Sequence, residues 1–206
     1  MLRYFIIYKP FQVLSQFSPE GEKKTLKDFF EVPKDVYPVG RLDYDSEGLL
    51  ILTNDTKLNH RLLNPANKHE REYWLQVEGE ITNEALDKLR QGVTISIDGK
   101  PHRTMPAKAV KFVEEPFVSE RNPPIRVRKK IPVSWISLSL HEGKNRQVRR
   151  MTAAVGFPTL RLIRYRIENI KLEDLAPGSM AELSEKEIYK LLFNDLKKSM
   201  NCDIAR

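Results

Sequence analysis

Residues 40–55, GRLDYDSEGLLILTND, set three carboxylates, Asp43, Asp45 and Glu47, at alternate positions ahead of an apolar run. Three chemistries are open to such a segment. A calcium loop is the first, since Gly48 falls at the sixth position counted from Asp43; but Asn54 stands at the twelfth, where a bidentate Glu is required, and the residues between are apolar. The second is an aspartate that caps a turn. The third is a lone carboxylate acting as nucleophile or base, exposed by the turn at Gly40 and anchored by the buried strand behind it.

Basic residues form the second group. Seven lie between 141 and 166 (Lys144, Arg146, Arg149, Arg150, Arg161, Arg164, Arg166) against Glu142 alone, and RNPPIRVRKK at 121–130 adds five with no acid. The chain as a whole carries 35 Lys and Arg against 28 Asp and Glu, a net charge of +7. Such a distribution suits a polyanion, although a solvated charged surface has the same composition. Lys144, Arg146 and Arg150 read as phosphate contacts, which position a nucleic acid without reading its sequence. Tyr73, in REYWLQVEG, is either a core aromatic or a face on which a base stacks. His60, His69, His102 and His141 show no metal-ligand spacing and read as surface or structural residues.

These side chains need elements to hold them. Phe5-Ile6-Ile7 predicts a first strand, residues 36–39 a short extended piece, and Gly48-Leu49-Leu50-Ile51-Leu52 a buried strand that leads through a turn at Asn54-Asp55 into a helix over Leu58, Leu62 and Leu63. Residues 72–78 alternate, with Tyr73, Leu75 and Val77 on one face. A helix at 83–91 closes at Gly92, and Asp98-Gly99 predicts a hairpin between 93–97 and a strand beginning near Thr104. Residues 114–132 read as a long basic loop. A core strand at 133–140 precedes a helix with Val148, Met151, Thr152 and Val155 inward, Arg146 and Arg150 opposite, and Arg149 on the border, from which it can reach a cleft. Gly156 and Pro158 end that helix, 159–167 returns as a strand, and Ser184-x-x-Glu187 caps a last helix. The fold class expected is α+β, a mixed, largely antiparallel sheet forming two lobes around a catalytic cleft, with flanking helices.

The single cysteine, Cys202, excludes an intramolecular disulfide and a cysteine metal cluster. The N-terminus has no long signal-peptide core, and the longest apolar run, Leu49 to Leu52, is far too short to cross a bilayer. A soluble cytoplasmic protein is the expectation.

GRLDYDSEGLLILTND, REYWLQVEG and EGKNRQVRRMTAAVGFPTLRLIRYRI resemble, in order, the three successive motifs of the RsuA/RluB/RluE/RluF family of rRNA pseudouridine synthases, and NPPIRVRKKIPVSW joined to the third is similar to the RluE branch. The resemblance covers roughly residues 1–190. It implies conversion of uridine to pseudouridine: the C1′–N1 bond breaks, the uracil turns, and C5 joins C1′. It implies no cofactor and no metal, because the isomerisation involves no redox change. Carried over by motif, Asp43 matches the essential aspartate, Tyr73 the active-site tyrosine, and Arg149 the basic residue paired with the aspartate. Arg41 is expected near the flipped-out nucleotide, and Arg71 replaces the usual lysine before the tyrosine.

Arg41, Arg71, Lys144, Arg146, Arg150, Arg126, Arg128 and Lys129 together form the expected RNA-binding set. Glu168-Asn169 stand where a Gly-Pro pair is common, and Ser179-Met180-Ala181 where a Trp-Arg is common. Many members begin with a small S4-type RNA-binding domain; here the expectation is one catalytic domain over 1–193 without it, then a tail over 194–206. The implied partner is 23S rRNA, in its peptidyl-transferase region, or a large-subunit assembly intermediate, met by a monomer. A basic RNA-binding or assembly module without catalysis fits the charge pattern equally; Asp43, Tyr73 and Arg149 occurring together favour the enzyme. Residue types leave open whether Asp43 attacks C1′ or deprotonates the sugar toward a glycal.

Overall fold

The apolar run after Glu47 is buried at every position, and it becomes strand β2 (Glu47–Thr53) in the middle of the main sheet. The computed structural model describes residues 1–125, 131–173 and 175–193. Strand β1 (Tyr4–Lys9) precedes it, and β3 (Arg71–Glu78), the hairpin strands β4 (Thr94–Ile97) and β5 (Lys100–Arg103), β6 (Lys108–Lys111), β7 (Val133–Leu140), β8 (Thr159–Ile167) and β9 (Met180–Leu183) follow. The long strands of the sheet run in the order β9-β1-β2-β8-β3-β7-β6, with two-residue pieces at Tyr37–Pro38 and Ile170–Lys171 attached. Four helices pack on it: α1 (Thr56–Leu63), α2 (Asn83–Gln91), α3 (Gln147–Ala154) and α4 (Glu185–Phe193). The class is therefore α+β with a mostly antiparallel sheet.

One junction in this sheet is parallel. Strand β8 meets β2 over two rungs, Ile163 opposite Glu47 and Arg164 opposite Gly48. Gly48 has a φ of 110°, and a Cβ there would stand 2.4 Å from the carbonyl oxygen and 2.6 Å from the nitrogen of Arg164, so only glycine lets the strands meet. Beside it, the buried guanidinium of Arg161 donates to both carboxylate oxygens of buried Glu47, at 2.9 and 2.8 Å, and to the carbonyl of Ser119 at 2.8 Å.

Apolar periodicity then divides the core. Leu75, Val77, Ile136, Leu138 and Leu162 pack against α2 and α3, whereas Leu49, Ile51, Trp135 and Ile163 pack against α1 and α4. Leu50 and Leu52, on the other face of β2, join Phe5 and Ile7 in a third cluster with Leu26, Phe30 and Val36. Caps fix the helix starts: the Asp55 carboxylate accepts from the Lys57 and Leu58 amides and also from the Tyr4 and Tyr189 hydroxyls, and Ser184 with Glu187 forms the expected capping box.

Two local expectations change. The second hairpin strand ends at Arg103 instead of beginning near Thr104, because the Thr104 hydroxyl and amide close back on Val93. Arg146 lies outside α3 in a left-handed conformation, φ 50° and ψ 28°, so the helical wheel does not describe its direction. Glu168, where the motif usually has glycine, keeps a φ of 48°, and its carboxylate holds His69 Nδ1 and the Glu70 amide. Among the described residues no helix is long and apolar enough to cross a membrane.

Gly48→Ala should cost more than about 2 kcal/mol, since positive-φ strain and backbone overlap add. Gly99, also at positive φ (77°) but with nothing within 4 Å of an added Cβ, should lose about 1 kcal/mol on the same change. Urea unfolding of both variants checks this; equal losses would show that β2 and β8 can move apart.

Candidate active site

The turn that carries Asp43 is bonded on both sides. The Ser15 hydroxyl donates to the Leu42 carbonyl at 2.8 Å and accepts from the Leu42 amide at 3.0 Å. The Gln12 amide donates to the Tyr44 carbonyl, and the Ser46 amide to that of Asp43 itself. The segment after β1 that provides these contacts is held by Lys9, whose fully buried ammonium donates to the carbonyls of Pro10 and Val13 at 2.9 and 2.7 Å. Burial pushes this lysine down to about 7, with Glu47 opposing the shift.

Asp43 opens into a cleft of about 730 Å³ that is also lined by Arg41, Arg71, Tyr73, Lys144, Arg146, Arg149 and Arg164. The site residues read from sequence, Asp43, Tyr73 and Arg149, thus share one cavity, with Asp43 from the turn before β2, Tyr73 from β3 and Arg149 from α3. The Asp43 side chain is 35% exposed, and its ion-pair partner is Arg146, at 3.8 Å.

That pairing corrects the expected one. Arg149 reaches toward the loop as its border position requires, but its carboxylate is Asp45: Nε stands 3.3 Å from the Asp45 carboxylate, and Nη2 donates to the Asp45 carbonyl at 2.5 Å. Its Nη1 donates to the Thr159 carbonyl. Arg146, expected on the solvent side, turns inward and binds Asp45 through two 2.8 Å hydrogen bonds, because its left-handed backbone redirects the side chain. Asp45 is held below the usual carboxylate range by the Arg146 hydrogen bonds, against the opposing effect of burial, with Arg149 contributing. Burial lowers Arg149, and Asp45 opposes it.

The remaining basic residues fall into three places. Arg41 and Lys144 are exposed at the cleft, whereas Arg71 points its guanidinium at the His69 and Leu62 carbonyls. Arg150 lies outside the cleft lining and donates to the Ser96 carbonyl of β4 and to Asn145, which ties α3 to the hairpin rather than leaving a free phosphate contact. Arg126, Arg128 and Lys129 lie outside the described residues.

Sequence reasoning missed several lining residues. His69, His102 and His141 border the cleft, tied to Glu168, Glu142 and the Lys68 carbonyl respectively. Asp45 was legible only as part of an alternating acidic pattern. Arg164, 5% exposed, sits opposite Tyr73 in the β8–β3 register, a juxtaposition that appears only once the strands pair. Tyr73 is at once a core residue on the packed face of β3 and a wall of the cleft.

The three acidic residues of the loop are engaged by arginines: Asp43 and Asp45 as described, and Glu47 by Arg161. Among the described residues no group of three or more His, Cys, Asp or Glu is placed to hold a metal ion. The arrangement offers one partly solvated carboxylate, a buried phenol and a ring of guanidinium groups. A carboxylate so placed can act on a sugar carbon or its proton, while the cations attract phosphate.

Comparison with known proteins agrees in sequence and in fold. Residues 3–154 match the family model described as RNA pseudouridylate synthase. The ribosomal large subunit pseudouridine synthase E of Vibrio parahaemolyticus is 49% identical over 181 residues, covering 88% of this chain and 74% of the relative. Its namesake from Xanthomonas axonopodis pv. citri is 51% identical over 174 residues, 84% of this chain and 89% of the relative. A solved pseudouridylate synthase structure superposes with a TM-score of 0.74 at 27% identity, covering 93% of this chain and 74% of that one. The chain belongs to the RNA pseudouridylate synthase family, in its RsuA/RluE-type group, and is an RNA pseudouridine synthase, an isomerase.

Proposed function

We propose that the chain converts one uridine of 23S rRNA, in the peptidyl-transferase region, to pseudouridine, with Asp43 as the group that acts on the sugar. The observation that carries this is the Asp43 carboxylate, 35% exposed on a turn bonded at both ends, in a cleft it shares with Tyr73. Support for the large-subunit target comes from the similarity to relatives named ribosomal large subunit pseudouridine synthase E. The catalytic domain spans 1–193, its sheet forms two lobes around the cleft, and the protein acts as a monomer in the cytoplasm, on free rRNA or on an assembling subunit. No metal or cofactor takes part.

A base stacked in folded RNA is out of reach of any carboxylate, so the target nucleotide must be extruded into the cleft. Tyr73 offers the aromatic face beside it, and Arg41 and Lys144 at the mouth meet the flanking phosphates. Arg146 stands 3.8 Å from Asp43 as its nearest cation, and Asp45 holds Arg146 and Arg149 in place. Arg149 therefore serves the aspartate through Asp45 and by its own field.

Ribosomal RNA from a strain lacking this gene should be missing one pseudouridine in the large-subunit RNA. Wild-type protein should restore it and Asp43→Asn should not, with turnover of the purified variant down by at least about 10³-fold and RNA affinity nearly kept. Wild-type-like turnover in Asp43→Asn would end the proposed mechanism.

Arg146→Ala should weaken RNA binding and also slow the bound complex, because it removes the counter-charge nearest Asp43. Arg150→Ala should leave the single-turnover rate within a few-fold of wild type. Its slope of log affinity against log salt should change by less than the roughly 0.7 to 0.9 of a lost phosphate contact. Single-turnover rates and salt titrations of both variants check this, and a rate loss confined to Arg150→Ala would reverse the assignment.

A further inference from the structure

Arg164 is a buried cation with no ion-pair partner among the described residues, although its guanidinium hydrogen-bonds the Tyr73 side chain. It is 5% exposed, its Nε donates to the Leu49 carbonyl at 2.7 Å, and its Nη2 is buried without a hydrogen-bond partner. Among the described residues no carboxylate lies within the 4.0 Å ion-pair distance of its guanidinium. Arg161, three positions earlier on β8 and equally buried, shows the ordinary solution, two bonds to Glu47 and one to the Ser119 carbonyl. A guanidinium with no carboxylate partner and an empty N–H is costly to bury, so its retention at a cleft wall points to a ligand that brings an acceptor or acquires negative charge. Arg164 lines the Asp43 cleft and stands opposite Tyr73 in the sheet register. Ser46, another residue of the cleft lining, 1% exposed, likewise holds a buried hydroxyl without a hydrogen-bond partner.

Uridine isomerisation generates such a charge. When C1′–N1 breaks, the electron pair leaves with N1, and the uracil becomes an anion spread over its ring nitrogens and carbonyl oxygens. The electron-poor C1′ is answered either by an ester to Asp43 or by loss of the C2′ proton to Asp43. Both routes leave the same charge on the ring. It disappears when C5 bonds to C1′, as the ester bond to Asp43 breaks or, on the other route, as Asp43 returns the proton to C2′; the C5 proton then departs and N1 gains one, so that substrate and product are isomers.

We infer that Arg164 is a further catalytic residue, whose free Nη2 donor and positive charge hold the detached uracil and stabilise its negative charge while it turns between N1 and C5. The division of labour is then spatial: Asp43 on the sugar, Arg164 on the base. Preorganised donors aimed at developing charge in a water-excluded site are worth about 10²–10³-fold in rate. This inference rests on the assignment of the cleft to uridine isomerisation.

The test compares uridine with 5-fluorouridine, whose ring is the more stable anion on departure and needs less help. An rRNA fragment that the wild-type enzyme converts is transcribed with either nucleotide, and loss of the substrate nucleoside is followed under single-turnover conditions. Arg164→Met should lose about 10²-fold or more on uridine and at least about tenfold less than that on 5-fluorouridine. Arg164→Lys, which keeps the charge, should show the same trend at smaller size. Equal losses on the two substrates would overturn the assignment, since a merely structural defect does not sense the leaving ring. Should Arg164→Met fail to fold, as judged by thermal melting, Arg164→Lys carries the same comparison with the same two outcomes. If the wild-type enzyme converts no uridine, the reading of the cleft fails; if it does and the losses are equal, only the role of Arg164 fails.

Discussion

Glu47 and Arg161 carry opposite charges on two strands that pair in parallel over two rungs, and much of the active site follows from keeping that pairing in place. A buried ion pair adds little net stability, because desolvation offsets most of the attraction. Its effect on register is large. Sliding β8 by one residue along β2 would strand two buried charges, at about 3–5 kcal/mol, and would drive Arg164 backbone atoms away from the only position at which Gly48 admits them. The register in turn sets Arg164 opposite Tyr73 on the other side of β8. A short parallel contact inside an otherwise antiparallel sheet thus fixes the wall of the cleft.

Asp43 depends on the same junction from the other end. Its turn runs directly into Glu47 and Gly48, so the strand that cannot slide is also the strand that aims the carboxylate. Ser15 closes the opposite side, binding both the amide and the carbonyl of the residue before Asp43. Lys9 stiffens the segment from which Ser15 comes by donating to two of its carbonyls, those of Pro10 and Val13. In the role proposed for Asp43, a carboxylate misplaced by about 1 Å would lose about 10²-fold in rate, and rigid support on both flanks would guard against that.

Most of the elements and part of the cleft lining were legible in the sequence, for reasons that differ by residue. The strand over Leu49 to Leu52, the alternation around Tyr73 and the helix closed by Gly92 announce themselves through local periodicity and caps, and each appears at the expected place. Asp43 and Tyr73 stood out as members of ordered motifs, and folding brings them to one cavity. What escaped is what depends on partners far along the chain. Arg164 read as one of several interleaved basic residues, since nothing local distinguishes it from Arg161 or Arg166. Arg146 was misdirected because the helical wheel assumes a helix, and the chain enters α3 one residue later through a left-handed turn.

Basic residues near a cleft also differ in what they can give to RNA. Arg41 and Lys144 are exposed and can meet a phosphate with little rearrangement. Arg71 and Arg149 are tied to backbone carbonyls in part-buried surroundings, and a phosphate that captured one of them would leave those acceptors bare, whereas Arg146 is more exposed and gives two hydrogen bonds to Asp45. Density of positive charge in the sequence therefore overstates the number of phosphate contacts in this part of the molecule. Part of the charge is matched by the loop's own aspartates, Asp43 and Asp45. The rest stands at the mouth, where attraction for a phosphate would not require taking the loop over Asp43 and Asp45 apart.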